Sequence, residues 1–169
     1  MRDAVSLERC QKLHPLVRQE VIDTIKQVEQ GLPSNIKIRV VQGLRTIEEQ
    51  DALYAQGRTK PGKKVTNARG GKSYHNYGLA IDFAVMYDHN NDGMFEILSW
   101  DISKDADKDG KSEWMEMVDA FKAKGWESGG AWRTIKDWPH LQKTFKRTWQ
   151  QLFALHNAGK VDTNGYVIL

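Results

Sequence analysis

A chain of 169 residues carries enough apolar material for one domain with a sizeable core and too little to argue for two. Its formal charge of +3 favours contact with an anionic polymer without choosing between nucleic acid and cell wall. The single cysteine, Cys10, excludes an internal disulfide and reads as a small buried apolar residue, so nothing in the fold calls for an oxidising compartment.

The opening stretch "MRDAVSLERCQKLHPLVRQE" lacks an uninterrupted apolar segment, and no later run is long enough to span a bilayer. The expectation is a protein made in a cytoplasm without a signal peptide and not inserted in a membrane. A target outside the membrane would then be reached only after permeabilisation.

Pro15 is placed to open a helix, in which Val17, Val21, Ile25 and Val28 recur at helical spacing until Gly31 and Pro33 stop it. "IKIRVVQ" alternates Ile36, Ile38 and Val40 with Lys37 and Arg39, the pattern of a half-buried strand. Thr46 followed by Glu49 forms a capping box, so a second helix is predicted to about Gly57. Residues 58–72, rich in Gly, Lys, Asn and Arg, read as an exposed loop. In "LAIDFAV" the residues Leu79, Ile81, Phe83 and Val85 share one face. Ala80, Asp82 and Ala84 share the other, which leaves room beside the carboxylate.

An acidic insertion spans about 86–112, and "EWMEMVDAFKAKG" reads as a helix ended by Gly125. "GWESGGAW" and "DWPHLQ" read as short strands or turns, and "KTFKRTWQQLFALHNAG" as a last helix closed by Gly159. Helices and strands in irregular order predict an α+β fold, one domain over 1–169.

A hydrolytic zinc site uses three protein ligands, commonly two His and a carboxylate, and leaves a fourth position for water. His75 and Asp82 offer two. His140 in "KDWPHLQ" offers the third, since Pro139 biases Trp138 to an extended conformation and holds the histidine on a strand. Asp137 stands three residues earlier and would then sit at the site mouth, where a general base is needed. Of the five histidines, His14, His89 and His156 lack a comparable setting and read as structural.

"SYHNYGLAID" fits Ser-x-His-x-x-Gly-x-Ala-x-Asp, and an Asp-x-x-His follows later in the chain. With these motifs the chain resembles the zinc peptidases of bacterial cell walls, which include D-alanyl-D-alanine carboxypeptidases and L-alanyl-D-glutamate endopeptidases, the latter often phage endolysins. "SLERCQKLHPLVRQ", "VVQGLRT" and "GWESGGAWRTIKDWPHLQ" extend the likeness over most of residues 6–142. The resemblance implies a small antiparallel sheet carrying zinc and flanked by helices, the D,D-peptidase and Hedgehog-like arrangement. It places His75, Asp82 and His140 on the metal ligands, Asp137 on the catalytic base and Arg45 on the arginine that meets substrate and oxyanion. Ser73 and Gln42 fall near the pocket. Similar family members often read Trp-Gly-Gly-Asp-Trp where this chain has Ser128-Gly129-Gly130-Ala131-Trp132, a departure that bears on subsite preference.

The implied activity is zinc-dependent cleavage of the L-Ala–D-Glu bond in peptidoglycan stem peptides, as a monomeric phage lysis enzyme. The nearest rival is a D-alanyl-D-alanine carboxypeptidase with the same metal site. A non-catalytic zinc-binding module of the same fold is a third reading, which the presence of Asp137 disfavours.

A second pattern lies in "DADKDGKSEWME". Asp105, Asp107, Asp109, Lys111 and Glu116 stand at the ligand positions of a twelve-residue calcium loop, with Gly110 at its turn. Ser112 departs from it by standing where such loops usually have an aliphatic residue. The earlier "DHNNDGMFEILS" repeats the acidic start but ends in Ser99. "ARGGKS" is not a phosphate loop, because Thr66 stands where that motif needs glycine and no strand precedes it. No nucleic-acid-binding motif accompanies the basic residues of 58–72, so nucleic acid is not an expected partner.

Overall fold

The computed structural model describes residues 1–169. In chain order the elements are α1 (Ala4–Gln11), α2 (Pro15–Gly31), β1 (Ile36–Gln42), α3 (Ile47–Ala55), a 3-10 turn at Tyr74–Tyr77, β2 (Ala80–Tyr87), β3 (Ile97–Ser99), α4 (Glu113–Lys122), β4 (Glu127–Ser128), a second 3-10 turn at Gly129–Ala131, β5 (His140–Gln142) and α5 (Trp149–Asn157). The α+β class read from the sequence is the class observed.

Helix starts follow side-chain chemistry. Asp3 accepts from the Ser6 amide and opens α1, Pro15 stands at the start of α2 where no N–H is needed, and Thr46 with Glu49 closes both arms of a capping box on α3. Thr148 with Gln151 does the same for α5.

All strand pairs are antiparallel, in the order β1-β2-β5-β4, with β3 beside the far end of β2. The central strand β2 therefore pairs with β1, β3 and β5, and only β4 lies beyond it. Along its length it pairs with β1, near its start Asp82 stands opposite His140 of β5, and near its end Val85 stands opposite Ser99 of β3. Ile38 and Val40 of β1 and Ile81, Phe83 and Val85 of β2 are fully buried in one cluster with Val17, Val21 and Ile25 of α2 and Met117 and Phe121 of α4. The Phe83 and Trp114 rings lie 4.5 Å apart in that core. Cys10 has no exposure, and burial pushes its thiol up to about 12, which fits an apolar packing role.

Four details differ from the sequence reading. The helix α1 has too short a pattern to register. On β2 the Asp82 face is not open, because Ala80, Ala84 and Met86 are buried as well and only Asp82 keeps partial exposure. The acidic insertion starts after β2 has taken residues 86–87, and it contains β3. The last helix begins only at Trp149, since Phe145 and Lys146 have φ of +50° and +59°, which a helix does not admit.

The insertion is tied to the sheet by one buried carboxylate. Glu113, with no exposure, accepts from the Tyr87 hydroxyl at 2.9 Å and from the Ala106 and Asp107 amides at 2.7 and 3.3 Å. No helix is long and apolar enough to cross a membrane.

Candidate metal centre

Three elements meet at the site. His75 comes from the first 3-10 turn, whose N-cap Ser73 accepts from the His75 amide. Asp82 comes from β2 and His140 from the start of β5, directly across the ladder from it. The residue before the histidine is Pro139, and the strand begins where the sequence placed it.

His75 Nε2 lies 3.2 Å and His140 Nδ1 3.0 Å from the same oxygen, Asp82 Oδ1. One ligand atom from each residue falls within 4.8 Å of the others, and both imidazoles are buried.

The outer ring nitrogens decide what the inner ones can be. His75 Nδ1 is 2.8 Å from the Gly43 carbonyl, which only accepts, so Nδ1 carries the proton. His140 Nε2 is 3.0 Å from Gln142 Oε1 and donates to it. With neutral rings, two inner lone pairs then face a carboxylate oxygen, acceptor against acceptor. That arrangement is repulsive unless a cation lies among them. A divalent ion would relieve it without protonating either ring, and two imidazoles with one carboxylate fit such a metal with a position left for water.

The electrostatics agree. Burial alone would raise the Asp82 carboxyl, but the charge of His75 and hydrogen bonds from both histidines hold it well below the usual carboxylate range. Burial would lower His140, yet the hydrogen bond and charge of Asp82, with Gln142 and Asp137, raise it above its ordinary value.

These residues stand in a groove of about 830 Å³ whose walls include Arg45, Ser73, Asp137, Trp132 and Trp149. Asp137 is half-buried, and burial together with the charge of Asp82 raises its carboxyl against the opposing pull of His140, His75 and Arg45. Arg45 donates to Gln50 Oε1 at 2.9 Å, and its amide donates to the His75 carbonyl at 3.0 Å. Gln42 stands opposite Asp82 in the ladder, but its amide turns to the Leu44 carbonyl and does not line the groove.

Gly129 and Gly130 explain how Asp137 is set. A side chain on Gly129 would collide with the Asp137 carbonyl, and one on Gly130 with the Trp138 ring. The Asp137 amide in turn donates to the Gly129 carbonyl at 3.2 Å. Sequence reasoning missed Gln142, although a period of two on a strand from His140 predicts that it shares the histidine's face.

In the acidic loop Asp105, Asp107 and Asp109 converge within ligand distance of one another, as do Asp88, Asp92 and Glu96 in the earlier segment. Gly110 makes the turn with φ of +98° and donates to Asp105 Oδ2 at 3.0 Å. Asp105 Oδ1 and Glu116 Oε2 are buried without a hydrogen-bond partner.

Comparison with known proteins adds three findings. Residues 66–143 match the family model described as D-alanyl-D-alanine carboxypeptidase. The chain is 47% identical, over 130 residues, to the peptidoglycan L-alanyl-D-glutamate endopeptidase CwlK of Bacillus subtilis (strain 168), covering 77% of this chain and 72% of that relative. The fold is similar to that in the crystal structure of the Serratia marcescens L-Ala D-Glu endopeptidase ChiX, with a TM-score of 0.53 and 23% identity over 85% of this chain and 89% of the other.

Proposed function

The chain belongs to the peptidoglycan metallopeptidase family of D-alanyl-D-alanine carboxypeptidases and L-alanyl-D-glutamate endopeptidases, and on that premise we propose that it is a zinc endopeptidase cutting the L-Ala–D-Glu bond of stem peptides. The observation that carries the metal is the convergence of two imidazole nitrogens on one Asp82 oxygen, with the outer nitrogen of each ring held by an acceptor. The bond is proposed from the relative that is 47% identical.

In this reading His75, Asp82 and His140 hold zinc. When bound, zinc supplies Lewis acidity and lowers the pKa of a coordinated water from about 15.7 to about 7. Asp137 takes the proton of the attacking water and passes it to the leaving amine, a role its raised carboxyl suits. Arg45 faces the negative charge that grows on the substrate carbonyl oxygen and stabilises it. Trp132, whose ring lies 5.3 Å from that of His140, and Trp149 line the groove as apolar walls for substrate. The proposal includes a lysis role, in which a monomer carrying a mildly positive charge meets the anionic wall after membrane permeabilisation.

The description of the matching family model favours one second reading, removal of the terminal D-Ala by the same centre. The cluster of Asp105, Asp107 and Asp109 and the unpartnered oxygens of Asp105 and Glu116 favour a further role for calcium at this loop.

Metal analysis tests the centre. The purified protein is expected to hold one zinc per chain and His140→Ala to lose it, while full zinc occupancy in that variant would remove His140 from the site.

A further inference from the structure

Both imidazoles need their outer nitrogen held, but the two are held differently. His75 is fixed by the Gly43 backbone carbonyl, an acceptor that cannot reverse. His140 is fixed by Gln142, whose amide has an acceptor end and a donor end and could turn either way round. Turned over, it would present N–H groups to Nε2 and demand the opposite tautomer.

The next residue along settles the direction. Gln142 Nε2 donates to Glu127 Oε2 at 3.1 Å, and Glu127 Oε1 accepts from the Thr144 hydroxyl at 3.1 Å. A carboxylate only accepts, so it draws the amide nitrogen toward itself and leaves Oε1 for His140. The pairing is built into the sheet, since Glu127 of β4 stands opposite Gln142 of β5 and His140 lies two residues earlier on the same face.

We infer that Gln142 and Glu127 are positioning residues that set the orientation and tautomer of His140, and through it the affinity of the centre for zinc. The inference rests on the metal centre proposed above. No proton is gained or lost in it; Glu127 orients an amide, the amide orients a ring, and the ring aims one lone pair. Outer partners of metal-binding histidines are typically worth about 10–100-fold in metal affinity.

The test is the dissociation constant for zinc, measured by chelator competition on the full chain, with the melting temperature of the metal-free protein as the folding control. Gln142→Leu is expected to weaken zinc binding by about 10–100-fold. Glu127→Gln, at an exposed position that leaves the core intact, is expected to weaken it less, because either end of the Gln142 amide can then face it. The exchanged pair Gln142→Glu with Glu127→Gln restores an acceptor toward Nε2 and a donor behind it, and is expected to recover affinity that Gln142→Leu lacks. In the zinc-loaded protein the His140 Nε2–H signal, read by nitrogen-15 NMR, should exchange slowly and should be lost in Gln142→Leu.

Unchanged affinity in Gln142→Leu, or an exchanged pair as weak as Gln142→Leu, would overturn the relay and leave the metal centre standing. Failure of the unsubstituted chain to bind zinc would overturn the centre itself.

Discussion

Asp82 and Asp137 share one groove, yet their carboxyls are pulled in opposite directions. Two imidazoles hold Asp82 down, whereas burial and the charge of Asp82 itself raise Asp137. Such a split suits the roles proposed above, with Asp82 as the lasting anion and Asp137 as the carboxyl that exchanges a proton. Asp137→Ala is therefore expected to keep its zinc and its melting temperature while turnover falls by about a hundred to ten thousand-fold, the usual worth of a positioned acid–base group. Full activity in that variant would take Asp137 out of the mechanism. His140 supplies a pH prediction with a definite sign. Its folded value is raised, so in the metal-free protein its contribution to stability is present below the unfolded value of about 6.5 and is lost as pH rises through the folded one. Zinc needs the deprotonated ring, so zinc affinity should rise over that same interval. Melting temperatures should thus fall with pH without metal and rise with zinc; parallel trends would contradict the assignment. Of the candidate site, the convergence of His75, Asp82 and His140 with Asp137 in the same groove was legible from residue type and motif. Gln142 was missed although strand period could have found it, and Glu127 could not be found, because its place depends on a register between two strands far too short to read.

At the scale of elements, α4 and the loop before it act together. Glu113 at the start of the helix is saturated by Tyr87 and two loop amides, while Glu116 one turn on has a buried oxygen with no partner. Burial and then neighbouring aspartates raise the Glu116 carboxyl, and burial with Asp109 and Glu113 raises Asp107. A raised carboxylate costs stability once it ionises, so the empty loop is destabilised above about pH 4 and a divalent cation would offset the repulsion. Calcium is expected to raise the melting temperature and to order the start of α4, with little effect in Glu116→Gln. Melting curves with calcium or a calcium-selective chelator check this, and an equal response in both proteins would leave the loop a solvated insertion. Pro15 and the apolar spacing after it made α2 readable at this scale, and the Thr46–Glu49 capping box did so for α3. The start of α5 was not readable, because "KTFKRTW" contains no Gly or Pro to mark a break, whereas Phe145 and Lys146 stand at positive φ.

Across the whole molecule, β2 is the spine that joins packing to chemistry. Its Ile81, Phe83 and Val85 anchor the core beneath α2 and α4, and Asp82 between them reaches the groove. Alternation of side chains made that division visible in seven letters of sequence; the burial of Ala80, Ala84 and Met86 was not, since it follows from neighbours on both sides. The departure at Ser128 and Ala131 leaves the glycine pair intact, so Asp137 keeps its seat, and Trp132 still faces His140. The chemistry of the centre is therefore expected to be that of the family, and the bond chosen is the central claim. It is tested most directly by mass spectrometry of peptidoglycan digested with the zinc-loaded protein. Fragments with a new amino-terminal D-Glu and no free D-Ala are expected; release of free D-Ala without a new D-Glu terminus would contradict cleavage at the L-Ala–D-Glu bond.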